Sequence, residues 1–197
     1  MKDKSLKMAT PCAVVEKSAE AEFNIETVRF VGKQDIDHLK MKSTDSIRNR
    51  YRLCLHHDES HHTQEMIICF KGFTYFQPHR HPANHSESYH MVEGMLDVYL
   101  FNEQGVLVEK VQLAAPGSFN AASRAFMYRL SAPIYHFVVP LSEWTIYHEV
   151  LTGPWNKDSV NQYAPFAPTE DDIEAVYAFV HKLTGMSVQA LIDIPRK

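Results

Sequence analysis

From Arg50 to Val150 the chain runs through one short β-prone segment after another: YRLCL, EMIICF, FTYF, YHMVEG, MLDVYLF, VLVEKVQLA, AFMYRL, YHFVVP and WTIYHEV. Each is rich in β-branched and aromatic side chains, which suit a pleated, half-buried surface. Turn residues separate them, and NEQG between MLDVYLF and VLVEKVQL is a hairpin loop closed by Gly105. So long a run of strands has few solutions. It must form a sandwich or a small barrel to cover its apolar faces and protect its edges.

The flanks read differently. Residues 1–22 are expected to be a flexible arm. Residues 23–45 hold a strand (FNIETVRFVG, Phe23–Gly32) and a short helix (KQDIDHLKMKS) with Ile36, Leu39 and Met41 to bury. The barrel is expected over 46–152. Residues 153–197 start as a proline-punctuated loop and continue into the helix TEDDIEAVYAFVHKLTG, capped by Thr169 and ended by Gly185. Ile173, Val176, Tyr177 and Val180 give that helix one apolar stripe, expected to pack on the barrel. The class is mainly β, with a short N-terminal helix and a C-terminal helix.

Composition removes some functions. A formal charge of −4 over 197 residues gives no overall drive toward nucleic acid or an anionic membrane. Cys12, Cys54 and Cys69 are odd in number and widely spaced, which fits neither a disulfide framework nor a CxxC zinc site. No apolar run approaches the roughly 18–20 residues of a membrane span, and the one before Glu16 is too short for a signal peptide. A soluble, cytoplasmic protein is expected.

The chemistry concentrates in PHRHPANHSESYH, Pro78–His90. His79 and His81 would point the same way from an extended segment, so both imidazoles can converge on one ion. Glu87, at the start of the next strand, can add a carboxylate; His85, in the loop between, is the alternative. Imidazole with carboxylate suits Zn, Fe(II), Mn(II), Ni or Co rather than Ca or Mg. His90 has the opposite strand parity to Glu87 and is expected to face away. HHDESHH (His56–His62) reads as an exposed hairpin loop.

Gly72, the triplet His79-Arg80-His81, Glu87 and Gly94 together resemble the first motif of the cupins. His136, in RLSAPIYHFV, stands where their second motif supplies one more histidine, with Pro133 in place of the usual glycine. RNRYRLCLHHDESHHTQEM, PHRHP, LFNEQGVLVEKVQLA and YAPFAPTEDD extend the likeness over about residues 30–175. Together they resemble the WbuC-type cupin-fold metalloproteins of bacterial surface-polysaccharide gene clusters. The resemblance implies a cupin barrel, the double-stranded β-helix or jelly roll. Inside it, His79, His81, Glu87 and His136 would hold a divalent transition metal.

Arg48, Arg50 and Arg52 alternate along one segment and would share a face. Guanidinium groups suit recognition of carboxylate or phosphate. These three arginines, with Tyr89 and His148, are the candidate substrate contacts. A metal on three histidines and one carboxylate keeps positions open for a substrate oxygen. The expected function is a metal-dependent enzyme on a small polar metabolite, with isomerase-like chemistry on a sugar or keto acid. A link to surface-polysaccharide biosynthesis comes from the resemblance. An Fe(II)-dependent dioxygenase and a non-catalytic metal and small-ligand binding module are the alternatives. No catalytic residue is assigned. A homodimer is expected, formed by adding the strand around Phe23–Val31 to a neighbour's sheet.

Overall fold

Two sheets face each other and enclose the interior. The fold is a computed structural model describing residues 13–156 and 160–192, with a seven-stranded and a five-stranded sheet. The strands are β1 Val14–Ser18, β2 Ala21–Asn24, β3 Arg50–Cys54, β4 Thr63–Lys71, β5 His79–Arg80 and β6 Glu87–Glu93. After them come β7 Met95–Phe101, β8 Leu107–Ala114, β9 Met127–Leu130, β10 Tyr135–Pro140, β11 Trp144–Thr152 and β12 Gln162–Tyr163. The large sheet runs β1-β2-β3-β4-β11-β6-β9 and the small one β12-β5-β10-β7-β8. From β4 onward the chain passes repeatedly from one sheet to the other, the wrapping of a jelly-roll barrel. Neighbouring strands pair antiparallel, except β2 with β3, which pair parallel.

Alternation divides the large sheet into two faces, and both are covered. On the outer face, helix α1 (Lys33–Asp45) lays Leu39 against Tyr51, Leu53, Ile67, Cys69 and Ile146. Leu39 and Ile146 are wholly buried, and each such side chain contributes roughly 1.5–3 kcal/mol by leaving water. Helices α2 (Ile173–Thr184) and α3 (Val188–Ile192) cover the small sheet, where Val176, Val180 and Leu191 pack with Tyr99, Tyr135, Phe137 and Val139. Between the sheets, Phe70, Met91, Leu96, Val98, Leu130 and Val138 belong to the inner core. No described helix is long and apolar enough to cross a membrane.

At Gly94, between β6 and β7, φ is +76° and a Cβ would sit 2.1 Å from the Trp144 carbonyl oxygen. Only glycine fits there, and the turn it makes sends the chain from one sheet to the other.

Several elements differ from expectation. Of the arm expected over 1–22, residues 1–12 lie outside the described residues, and Val14–Ser18 is a strand of the large sheet. The strand expected over Phe23–Gly32 is Ala21–Asn24 instead. It stops because the Asn24 side chain accepts from the Glu26 N–H and donates to the Glu26 carbonyl, turning the backbone. β2 lies between β1 and β3, so its hydrogen bonds are used within the chain rather than offered to a neighbour. FTYF is not a strand. Its polar groups serve side-chain bonds: Thr74 Oγ1 donates to the Arg48 carbonyl, the Tyr75 carbonyl accepts from Arg50, and the Tyr75 hydroxyl donates to the Pro168 carbonyl. The C-terminal helix begins at Ile173 with Asp172, not Thr169, as its cap, accepting from the Ala175 N–H at 3.1 Å. Ile173 is left exposed.

Candidate metal centre

β5 and β10 are neighbours, and their pairing sets His136 directly opposite His79. The two rings lie 4.4 Å apart between centroids, and His81 follows at 5.0 Å from His79 and 5.2 Å from His136. One nitrogen from each of the three lies within 4.8 Å of the others. Glu87 reaches in from β6 on the facing sheet. Its Oε2 is 3.2 Å from His81 Nε2 and its Oε1 is 3.3 Å from His136 Nε2.

The far side of each ring is fixed in the same way. Nδ1 lies 3.2 Å from the Gln77 carbonyl in His79, 2.9 Å from that of Val160 in His81, and 3.1 Å from that of Ile134 in His136. A carbonyl only accepts, so each Nδ1 carries a proton and donates it. In a neutral ring this leaves Nε2 with a lone pair, the form in which histidine ligates metal. The Glu87 carboxylate is steadied from behind by the Tyr89 hydroxyl, which donates to Oε2 at 3.0 Å.

Two atoms in this group lack what they need. His136 Nε2 and Glu87 Oε1 are both buried and neither has a hydrogen-bond partner. Two acceptors facing each other in a buried site are costly unless a cation lies between them. Ligand atoms each about 2.1 Å from a shared ion fall roughly 3.0–3.4 Å apart, which is the spacing Glu87 shows to both of its histidines. The residues therefore fit a divalent transition metal.

The electrostatics agree. Burial, then the neighbouring His136 and His81, holds His79 well below the ordinary histidine range. Burial also lowers His136. Burial opposes charge on His81, but its contact with Glu87 outweighs that and raises it. Glu87 is held below the usual carboxylate range: burial works against it, while His136 and His81 more than compensate.

The other expected contacts separate into two groups. Arg48, Arg50, Arg52 and Tyr89 line one interior cavity of about 630 Å³, with His79, His81 and His136 in its wall. Arg48 and Arg50, however, are already paired. Both bind Glu20 and Glu170, and Arg50 also donates to the Tyr75 carbonyl at 2.8 Å. Arg52 has no such partner, and its Nε is buried without a hydrogen bond.

His148 is on the other face. It stacks edge-on with His90 at 5.4 Å, with its Nε2 3.5 Å from Glu65. The side chains of β11 that reach the cavity are Tyr147, Glu149 and Leu151. His90 faces outward with it. His85 stays outside the histidine group, with Nδ1 2.9 Å from Asn84 Oδ1. In HHDESHH, His57 and His61 are exposed, but His56 is buried and lines the cavity.

Glu149 is the residue that sequence reasoning missed. Burial, and then the nearby Glu87 carboxylate, pushes its carboxyl up to about 8. Strand alternation from Tyr147 would have found it, had the inward parity of β11 been known.

Residues 31–113 match a family model described as a domain of unknown function (DUF6016). A search of curated proteins found no match. Solved structures of similar fold include KdgF from Halomonas sp., 18% identical with a TM-score of 0.40 over 55% of this chain and 82% of that one. A protein from Shewanella oneidensis is 15% identical with a TM-score of 0.49 over 74% and 87%. A cupin-superfamily protein from Desulfitobacterium hafniense is 11% identical with a TM-score of 0.37 over 52% and 75%.

Proposed function

We propose that the chain is a metal-dependent enzyme of cupin type. It holds one divalent transition metal (Zn, Fe, Mn, Ni or Co) on His79, His81, His136 and Glu87, and moves a proton on a small metabolite bearing a carbonyl or hydroxyl group. The observation that carries the reading is the convergence of three imidazoles, each anchored through Nδ1, with a carboxylate against two of them whose facing oxygen has no partner.

When bound, the metal supplies a Lewis acid toward a substrate oxygen. The chain supplies the rest. Tyr89 holds Glu87 in place through its hydroxyl. Met66, Ile68 and Phe70 give the cavity an apolar wall that thins out water around a reacting group. Glu149 lines the same cavity, where burial raises its carboxyl above the usual carboxylate range, and it is the cavity carboxyl we assign to hold and pass the proton. A group of that kind supports proton-transfer chemistry, such as isomerisation beside a carbonyl, over simple binding.

The test is proton exchange. Metal-loaded protein is incubated in D₂O with a panel of keto acids and aldoses, and deuterium uptake next to the carbonyl is followed by NMR. The reading expects uptake in at least one compound, none with metal-free protein, and a loss of roughly 100-fold or more in Glu149→Gln with metal retained. Uptake that is unchanged in Glu149→Gln would remove Glu149 from the mechanism, and no uptake in any compound would overturn the reaction class.

A further inference from the structure

Arg52 is unlike Arg50, its neighbour on β3, and Arg48, just before that strand. Arg48 and Arg50 are occupied by Glu20 and Glu170, which close an ionic cluster joining the β1–β2 turn, β3 and the segment before α2. Among the described residues, no carboxylate or carbonyl accepts from Arg52, and its Nε is buried without a partner. Glu149 is near enough to feel its charge but forms no ion pair with it. A partly buried guanidinium whose buried Nε–H has no acceptor is short of an anion. The cavity it lines carries apolar and aromatic side chains, among them Phe23, Met66, Ile68, Phe70 and Tyr147, beside polar ones such as His56, Gln64 and Glu149.

We propose that this cavity binds a monocarboxylate with an apolar or aromatic body, its carboxylate paired with Arg52 and its body on the aromatic wall. A monoanion fits better than a phosphate dianion because Arg52 is the one cavity arginine without a partner, and one guanidinium balances one negative charge. This deepens the reading of the cavity as a substrate site and rests on it. It assigns the end of the substrate that the metal does not hold.

The experiment uses metal-free protein, so that it does not depend on the metal. Calorimetric titration compares 4-phenylbutyrate with its neutral amide, 4-phenylbutyramide. The wild type is expected to bind the acid roughly tenfold or more tightly than the amide. Arg52→Gln should bind both alike, with amide affinity unchanged, and Arg52→Lys should recover part of the preference. Circular dichroism checks that both variants fold. His136→Ala should keep the full preference. A wild type that binds acid and amide equally, or binds neither, overturns the proposal. So does a preference that survives Arg52→Gln but disappears in His136→Ala, because the carboxylate would then sit on the histidines. An acid preference in a protein that takes up no metal would sink the metal reading while leaving Arg52 in its role.

Discussion

His136 Nε2 and Glu87 Oε1 lie 3.3 Å apart on facing sheets, both buried and both without a hydrogen-bond partner. Neither sheet alone makes this contact. β10 brings His136 beside His79, and β6 carries Glu87 across the interior. The barrel thus holds two acceptors at ligand spacing, an arrangement a cation satisfies and a hydrogen bond does not.

Gly94 is where a small change should do most damage to the fold. Gly94→Ala meets a positive φ and the Trp144 carbonyl at 2.1 Å at once. It should lose about 2–3 kcal/mol, read as a lower urea midpoint with an unchanged m-value. Gly117 has a positive φ but open space around a Cβ, so Gly117→Ala should lose less.

The two paired arginines should differ in weight although they share partners. Arg50 is nearly buried and Arg48 is half exposed, with side-chain exposures of 10% and 51%. Arg50→Met removes a nearly buried guanidinium from two partly buried carboxylates and leaves the Tyr75 carbonyl without its donor, and should lose about 2 kcal/mol. Arg48→Met should lose less than about 1 kcal/mol. Chemical denaturation of both variants at low and high salt checks the order, with Arg48 the more salt-sensitive.

A histidine away from the metal centre should make stability depend on pH. Burial holds His56 below the ordinary histidine value of 6.5. The unfolded chain therefore takes up a proton near pH 6.5 that the folded chain excludes. Stability from this group is present above pH 6.5 and is lost as pH falls below it, by up to about 1.4 kcal/mol per pH unit. The drop in melting temperature between pH 7.5 and 5.5 should be smaller in His56→Asn than in the wild type, both metal-free. An equal drop would remove His56 as a contributor.

Much of this was legible because strand periodicity is local. YRLCL, EMIICF, MLDVYLF and YHFVVP fall on β3, β4, β7 and β10, and the pairing of His79 with His81 on one side follows from alternation alone. What stayed hidden depends on contacts distant in sequence. Arg48, Arg50 and Arg52 look equivalent in the chain, and only the approach of Glu20 and Glu170 sets Arg52 apart. The parity of WTIYHEV was ambiguous because α1 covers the outer face of the large sheet. Ile146 is as buried as any inward residue, so alternation does not reveal which of His148 and Glu149 points in. FTYF has strand composition, but the Arg50 side chain takes the Tyr75 carbonyl, and the Thr74 and Tyr75 hydroxyls donate to the Arg48 and Pro168 carbonyls, contacts no local pattern foretells.

The central claim is tested most directly by titrating tag-free, metal-free protein with Co(II) and following its visible absorption bands. One equivalent per chain is expected in the wild type and in His57→Ala, and none in His79→Ala or His136→Ala, with each variant shown to be folded. Saturable binding that survives His136→Ala unchanged, or a wild type that takes up no metal, would contradict the assignment of His79, His81, Glu87 and His136 as a metal centre.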